Sequence, residues 1–388
     1  KSLNLSLNGF AALTGVENLS MLSDLKIDQT AVTDLSALSA TVGLQSLSMA
    51  GIPATELSTL AGLSSLESLH MPDVAVSSSS IFSAMGGLRV LNIDRTGVPD
   101  LTGLANATGM EFLSVSGNDL SSLNGLQNMT FLEGLVASNN ALTTLDGISA
   151  LSSLVFLNVS NNAITSISGL VGFGEEAPYN LEYLFADNNQ ISDVSILSGW
   201  LDQLQFLSFN NNNITSLNSL SSLYALESLS AINNQITNVP NLANSSFAEF
   251  GLKIALNLTG NPLDCFSLAN YDAFDIALTF DSSCVAALAS ENKAPLSQGV
   301  DKAALTAATA NVPTLGFAQI SEDKTLGSST QHARVEPDQT FVAESLRVAV
   351  TVLPDLVESS LRTISYFAAS WVEVVSETLD SLFEDKET

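Results

Sequence analysis

Residues 154–170 read LVFLNVSNNAITSISGL, with apolar side chains at Leu154, Leu157 and Val159 and again at Ile164, Ile167 and Leu170. Leu157 and Val159 alternate with their neighbours, the period of two expected of a short strand with one buried face. Asn162 and Ile164 then turn the chain, and Ile167 and Leu170 carry a return segment. The phrase recurs with starts at Leu22, Leu44, Leu66, Leu88, Met110, Leu132 and Leu154, a period of 22, and after insertions at Leu181, Leu204 and Leu226. Leu3, Leu5 and Leu7 belong to a partial unit before these, and Leu256, Leu258, Asn261 and Leu263 form a last one. One such unit cannot bury its apolar face alone. Stacking the units about 4.8 Å apart makes a continuous parallel sheet over one long core.

Each turn carries a recurrent asparagine: Asn118, Asn140, Asn162, Asn189, Asn212, Asn234 and Asn261. A buried amide that donates and accepts can satisfy backbone groups where the strand bends away. Thr30 and Thr96 are partial substitutes, while Ile52 and Val74 cannot hydrogen-bond, so irregular turns are expected at those two units. Two insertions, at 172–180 and 243–251, lengthen return segments and are read as surface loops.

The phrase L-x-x-L-x-L-x-x-N-x-I-x-x-I-x-x-L resembles a leucine-rich repeat, close to the 22-residue type of bacterial internalins, over residues 1–264. The resemblance implies an α/β solenoid, a horseshoe with its parallel sheet on the concave face, and adhesion at a bacterial surface. The run N-P-L-D-C that ends at Cys265 is similar to the start of a cysteine-bearing cap, which places a cap at 265–284. Paired, Cys265 and Cys284 would staple the end of the array and imply an oxidising compartment; unpaired, they would be small buried hydrophobes. Fuller caps of that kind carry four cysteines, and this chain has two.

Residues 285–340 shift to Ala, Ser, Thr and scattered charge and read as a linker with one short helix at 302–310. The extension 341–388 begins with an apolar, β-branched stretch that ends at Pro354. Asp355 with Glu358 then resembles a capping box. Beyond it Leu361, Ile364, Ala368, Trp371, Val375 and Leu379 recur at spacings of three and four, which predicts an amphipathic helix of about 30 residues, roughly 45 Å long. Its apolar face must be buried against something. Lys1 falls inside a repeat, without an initiator Met or a signal peptide, so the start is expected to be processed or truncated.

Composition changes this picture in two ways. With 46% apolar but only 13% charged residues, the exterior must be covered largely by Ser, Thr, Asn, Gln and Gly. Forty acidic against twelve basic residues give a net charge of −28, a field that disfavours nucleic acid and anionic lipid and suits an extracellular or saline setting. No run of apolar residues is long enough to span a membrane as a helix.

The sequence carries little catalytic chemistry. Of two histidines, His332 lies in the linker and His70 lies on a strand near Asp73, without a nucleophile and base arranged between partners. There is no phosphate loop, no zinc-type cysteine pairing and no H-E-x-x-H, so no cofactor and no metal are expected. Asp28, Asp94 and Asp187 share one column of the repeat, a weak calcium pattern better read as acids on a solvated face. Eight N-x-S/T sequences, among them Asn106, Asn128, Asn213 and Asn244, are no more than such a composition supplies by chance, and Asn158 and Asn257 fall inside strands.

The residues flanking the inward leucines must face out of the sheet. Those columns hold Ser46, Ser48 and Ser68 early, then Phe112, Val136, Phe156, Tyr183, Phe185 and Phe206. Exposed aromatics on adjoining strands fit a partner-binding surface, and they equally fit a cover for the sheet or a seat for the chain's own tail. Two functions follow. The first is a non-enzymatic, secreted or cell-surface module that binds a protein or glycan through the concave face. The alternative is a self-assembling subunit of a surface filament or sheath, joined to copies of itself through the open N-terminal edge and the C-terminal helix.

Overall fold

The computed structural model describes residues 1–170, 180–198, 203–238, 254–264 and 276–280. All of them lie in the first of the two units into which the chain divides, Lys1–Ala308. The strands are β1 Ser2–Asn4, β2 Asp24–Lys26, β3 Ser46–Ser48, β4 Ser68–His70, β5 Val90–Asn92, β6 Phe112–Ser114 and β7 Gly134–Val136. They continue as β8 Phe156–Asn158, β9 Tyr183–Phe185, β10 Phe206–Ser208, β11 Ser228–Ser230, β12 Ile254–Asn257 and β13 Ile276–Thr279.

These strands form one sheet of 13, in sequence order and parallel throughout. The register keeps equivalent repeat positions opposite one another, Leu157 against Leu135 on one side and Leu184 on the other. The predicted solenoid of leucine-rich repeats is therefore the fold of the described residues. β13 pairs in register with β12, so the sheet continues past residue 264 into the span read as a cap.

From β2 to β11 the central residue of each strand and the apolar residue two positions on are withdrawn from water, as are most leucines and isoleucines of the return segments. Burying one such side chain stabilises by about 1.5–3 kcal/mol. Short 3₁₀ turns, such as Ser36–Ala40, Thr102–Leu104 and Ser195–Leu197, carry several of the returns. Aspartates set their starts: Asp34, Asp100 and Asp193 each accept the N–H two residues ahead, at 2.8 Å. Hydrogen bonds to the ionised form hold all three carboxyls below the usual carboxylate range, the N–H bonds foremost at Asp34 and Asp193 and the hydroxyls of Thr102 and Ser79 foremost at Asp100.

The asparagine row works as the sequence predicts, and it also ties each unit to the one before. Asn189 donates from Nδ2 to the carbonyls of Ala186 at 3.1 Å and Val159 at 3.0 Å, and accepts at Oδ1 from the Ile164 N–H at 2.9 Å. Asn140, Asn162, Asn212 and Asn261 repeat this arrangement. Asn8, one period before Thr30, occupies the same place in the first unit and donates to the carbonyls of Leu5 and Ser6. Thr30 and Thr96 donate from their hydroxyls to the carbonyls of Ile27 and Ile93 in their own units, and neither reaches the unit before; Thr96 also meets Asn118 Oδ1 of the following unit at 3.2 Å.

The irregular turns expected at Ile52 and Val74 do not occur. Gly51 and Asp73 take φ of 62° and 61°, the left-handed conformation found at the same place from Leu7 to Gly260. The inter-strand bonds run on unbroken, Gly51 N–H to Pro72 at 2.9 Å and Asp73 N–H to Asp94 at 2.9 Å. The left-handed residue and the backbone ladder set the turn, and the amide only satisfies what the turn leaves. Ile52 and Val74 bury apolar surface instead, with 2% and 0% exposure. At Val76 the N–H that an asparagine of the next unit would accept goes to the Thr96 carbonyl at 2.8 Å.

Candidate functional site on the open face of the sheet

Because the strands stay in register, every outward position becomes a row running across the sheet. The first strand position holds Ser46, Ser68, Val90, Phe112, Gly134, Phe156, Tyr183, Phe206, Ser228 and Ala255 in succession. The third holds Val136 on β7, Asn158 on β8 and Phe185 on β9. Phe112, Val136, Phe156, Tyr183, Phe185 and Phe206 are all half-buried on this face.

Four of these rings touch. Tyr183 and Phe206 stack with centroids 5.3 Å apart and planes 4° from parallel. Phe156 lies 6.3 Å from Tyr183 and 5.5 Å from Phe185, tilted in both contacts. Such pairs add about 0.5–1.5 kcal/mol beyond their burial and hold one another in place. Gly134 separates Phe112 from Phe156 within the row.

A row of carboxylates precedes the aromatic row by one residue, and reasoning from the inward leucines alone missed it. Glu111, Glu133, Glu182 and Glu227 stand immediately before Phe112, Gly134, Tyr183 and Ser228. Reading the 22-residue period at that position would have found them. Glu111 is paired with Arg89 of the preceding unit. Burial pushes Glu133 and Glu182 up from the ordinary glutamate value, and Glu227 rises to about 7 through burial and then the charge of Glu182. Burial raises the Tyr183 phenol too, with the charges of Glu182 and Glu227 adding to the effect, so that hydroxyl stays protonated.

The sign of the Glu227 shift gives a test. A carboxyl whose folded pKa lies near 7, above its ordinary 4.5, favours the fold while protonated. That contribution is complete below about pH 4.5 and is lost as pH rises through about 7. Glu227→Gln is therefore expected to raise stability at pH 8 by about 1 kcal/mol, after discounting for solvent screening, and to change it little at pH 4. Urea midpoints at the two pH values check this, and an equal effect at both would refute it.

Asp28, Asp94 and Asp187 are not acids scattered on a solvated face. Each is half-buried and reaches the following unit. Asp94 Oδ1 accepts from the Ser114 hydroxyl at 2.7 Å and the Ser116 N–H at 2.6 Å, and Asp187 Oδ1 accepts from Ser208 and the Asn210 N–H, both at 2.6 Å. Asp28 does the same with Ser48 and Ala50, and Asn210 with Ser230 and Ile232. In other units a strand asparagine accepts the equivalent N–H locally, as Asn92 does from Asp94 and Asn158 from Ser160. After Ala50, which has no acceptor to offer, the position is Pro72, which has no N–H to satisfy. Burial raises Asp94 and Asp187 against the opposing pull of these bonds.

Among the described residues no group of three or more metal-ligating side chains is gathered. Burial lowers the pKa of His70 and keeps its imidazole neutral, while Asp73, three residues on in sequence, is held by Arg95 through two bonds of 2.7 and 2.8 Å. No helix of the described residues is long and apolar enough to cross a membrane. Cys265 and Cys284, the insertions at 172–180 and 243–251, the linker, and Leu361, Ile364, Trp371, Val375 and Leu379 lie outside the described residues, apart from Asn180.

The family described as Leucine Rich repeats (2 copies) matches residues 130–172 and 179–222. No curated protein matches the chain. Among solved structures it is similar to an internalin, InlF of Listeria monocytogenes, with 24% identity over 74% of this chain and 84% of that one, at a TM-score of 0.63. The functional domain of InlJ from the same organism gives 19% identity over 72% of this chain and 62% of that one, with a TM-score of 0.54. The plant peptide hormone receptor RGFR1, solved in complex with RGF2, gives 16% identity over 72% and 50%, with a TM-score of 0.55. The chain carries leucine-rich repeats, and its fold is of the internalin-like kind.

Proposed function

We propose that this chain is a non-enzymatic recognition module of the cell exterior, secreted or held at a bacterial surface, that binds a protein partner through the concave face of its sheet. The observation that carries the reading is the run of touching rings Phe185, Phe156, Tyr183 and Phe206, which faces solvent from three consecutive strands. Large aromatics on a rigid scaffold bring much contact area at low entropic cost, the character of an interface hot region. The solved RGFR1 receptor, a structure of similar fold in complex with RGF2, is consistent with such a use.

The test is capture of proteins from solubilised cell-surface extracts on the immobilised chain. The double variant Tyr183→Ser, Phe185→Ser is expected to lose what the wild type retains while still melting cooperatively. Retention of the same proteins by the double variant would rule the aromatic run out as the contact surface.

A further inference from the structure

The aromatic row ends abruptly. After Phe206 the next two positions are Ser228 and Ala255, side chains too small to continue the stack. The last ring therefore borders a step in the face rather than another ring. Glu227 stands one residue before Ser228 on the strand bordering this step, and Glu182 one residue before Tyr183 on the other side of β10. Between them lies Gln205, which is neutral. The two carboxylates are close enough to raise the affinity of Glu227 for its proton, and both act on the Tyr183 hydroxyl.

We propose that this step receives an arginine or lysine side chain from an extended segment of the protein partner, its cation against Phe206 and its charge met by Glu227 and Glu182. The inference rests on the proposed recognition role and adds the chemistry of the partner. A ring face bordered by partly desolvated carboxylates attracts a cation twice, through the ring quadrupole and through charge. The arriving cation would also relieve the unfavourable crowding of Glu182 and Glu227. A small free amine would leave Phe156 and Phe185 uncovered, whereas a peptide segment crossing the strands covers them with its neighbouring side chains. The net charge of −28 steers a basic segment toward the chain from a distance.

The experiment uses the full chain and fluorescence anisotropy at about 0.15 M salt, where long-range attraction is screened. The probe is a short labelled peptide alternating serine and arginine, beside the same peptide with neutral citrulline in place of arginine. Phe206→Ser and the double variant Glu182→Gln, Glu227→Gln are each expected to weaken the arginine peptide about ten-fold. The control Glu17→Gln, Glu56→Gln, which neutralises two exposed acids of the early units, is expected to change it less than about two-fold. Equal binding of the citrulline peptide, or an equal loss in the control, would overturn the proposal, because attraction would then be unspecific. The glutamine variant keeps the side-chain volume, so its result stands even where Phe206→Ser lowers stability. If the glutamine variant keeps the captured proteins while Tyr183→Ser, Phe185→Ser loses them, the cationic inference alone fails. If the serine variant keeps them too, the recognition reading fails with it.

Discussion

Asn189→Leu is expected to lower the stability of the repeat array by about 3–5 kcal/mol although it keeps nearly the same volume. Asn189 is 7% exposed and satisfies two strand-end carbonyls and one N–H that otherwise face an apolar interior. Each buried polar group left without a partner costs about 1–3 kcal/mol, and the apolar gain of a leucine offsets only part of that. The apolar residues Ile52 and Val74 do not argue against this. They are consecutive members of the row, and their surroundings have adjusted, as the Val76 N–H shows by turning to the Thr96 carbonyl. At Asn189 both neighbours in the row, Asn162 and Asn212, keep their amides, so nothing stands ready to replace it. Urea unfolding measures the loss, and hydrogen exchange locates it at the Ile164 amide. An unchanged midpoint would mean that water enters the turn at no cost.

Gly125→Ala is expected to cost about 3 kcal/mol or more, for two reasons that act together. Gly125 has φ of 116°, a conformation that side chains with a Cβ rarely adopt, and an added methyl would overlap the carbonyl oxygen of Leu101 in the preceding unit. The first effect costs about 1–2 kcal/mol, and moving a packed backbone aside costs about 1–3 more. The obstacle is main chain, so no side-chain rotation relieves it. Thermal unfolding of the variant reads the combined effect. A melting curve like that of the wild type would show that the return segments are looser than their packing implies. Gly97→Ala is the comparison: its φ of 70° is also positive, but an added methyl there meets nothing within 4 Å.

The repeat was legible because its physics is local and repeated. A leucine pair two residues apart, an asparagine three residues after the second of the pair, and a return of isoleucines and leucines recur in phase, and only stacking can bury them. Ile52 and Val74 were misread for an instructive reason. The asparagine marks the turn in sequence, but the left-handed residue before it makes the turn, and Gly51 and Asp73 supply that conformation without an asparagine following.

The aromatic row was equally legible, because a period of two on a strand assigns Phe156, Tyr183, Phe185 and Phe206 to one face once the inward leucines are placed. Whether those rings would touch was not, since ring contacts depend on register between strands that lie more than twenty residues apart in sequence. The same holds for Asp94 and Asp187. In sequence they are isolated acids, and only the pairing of their strands with the next brings Ser114, Ser116, Ser208 and Asn210 to their carboxylates.

By itself the sequence determined the unit, its period, its inward and outward rows and the surplus of negative charge, all of which follow from residue type and spacing along one strand and its return. The tertiary structure decided which side chains cross from unit to unit: the amides that tie consecutive turns, the aspartates that brace the sheet, and the rings and carboxylates that meet at Tyr183, Phe206 and Glu227. Spacing places a side chain on a face, but hydrogen bonds, ring contacts and desolvation depend on distances between strands, and those are set only when the units stack.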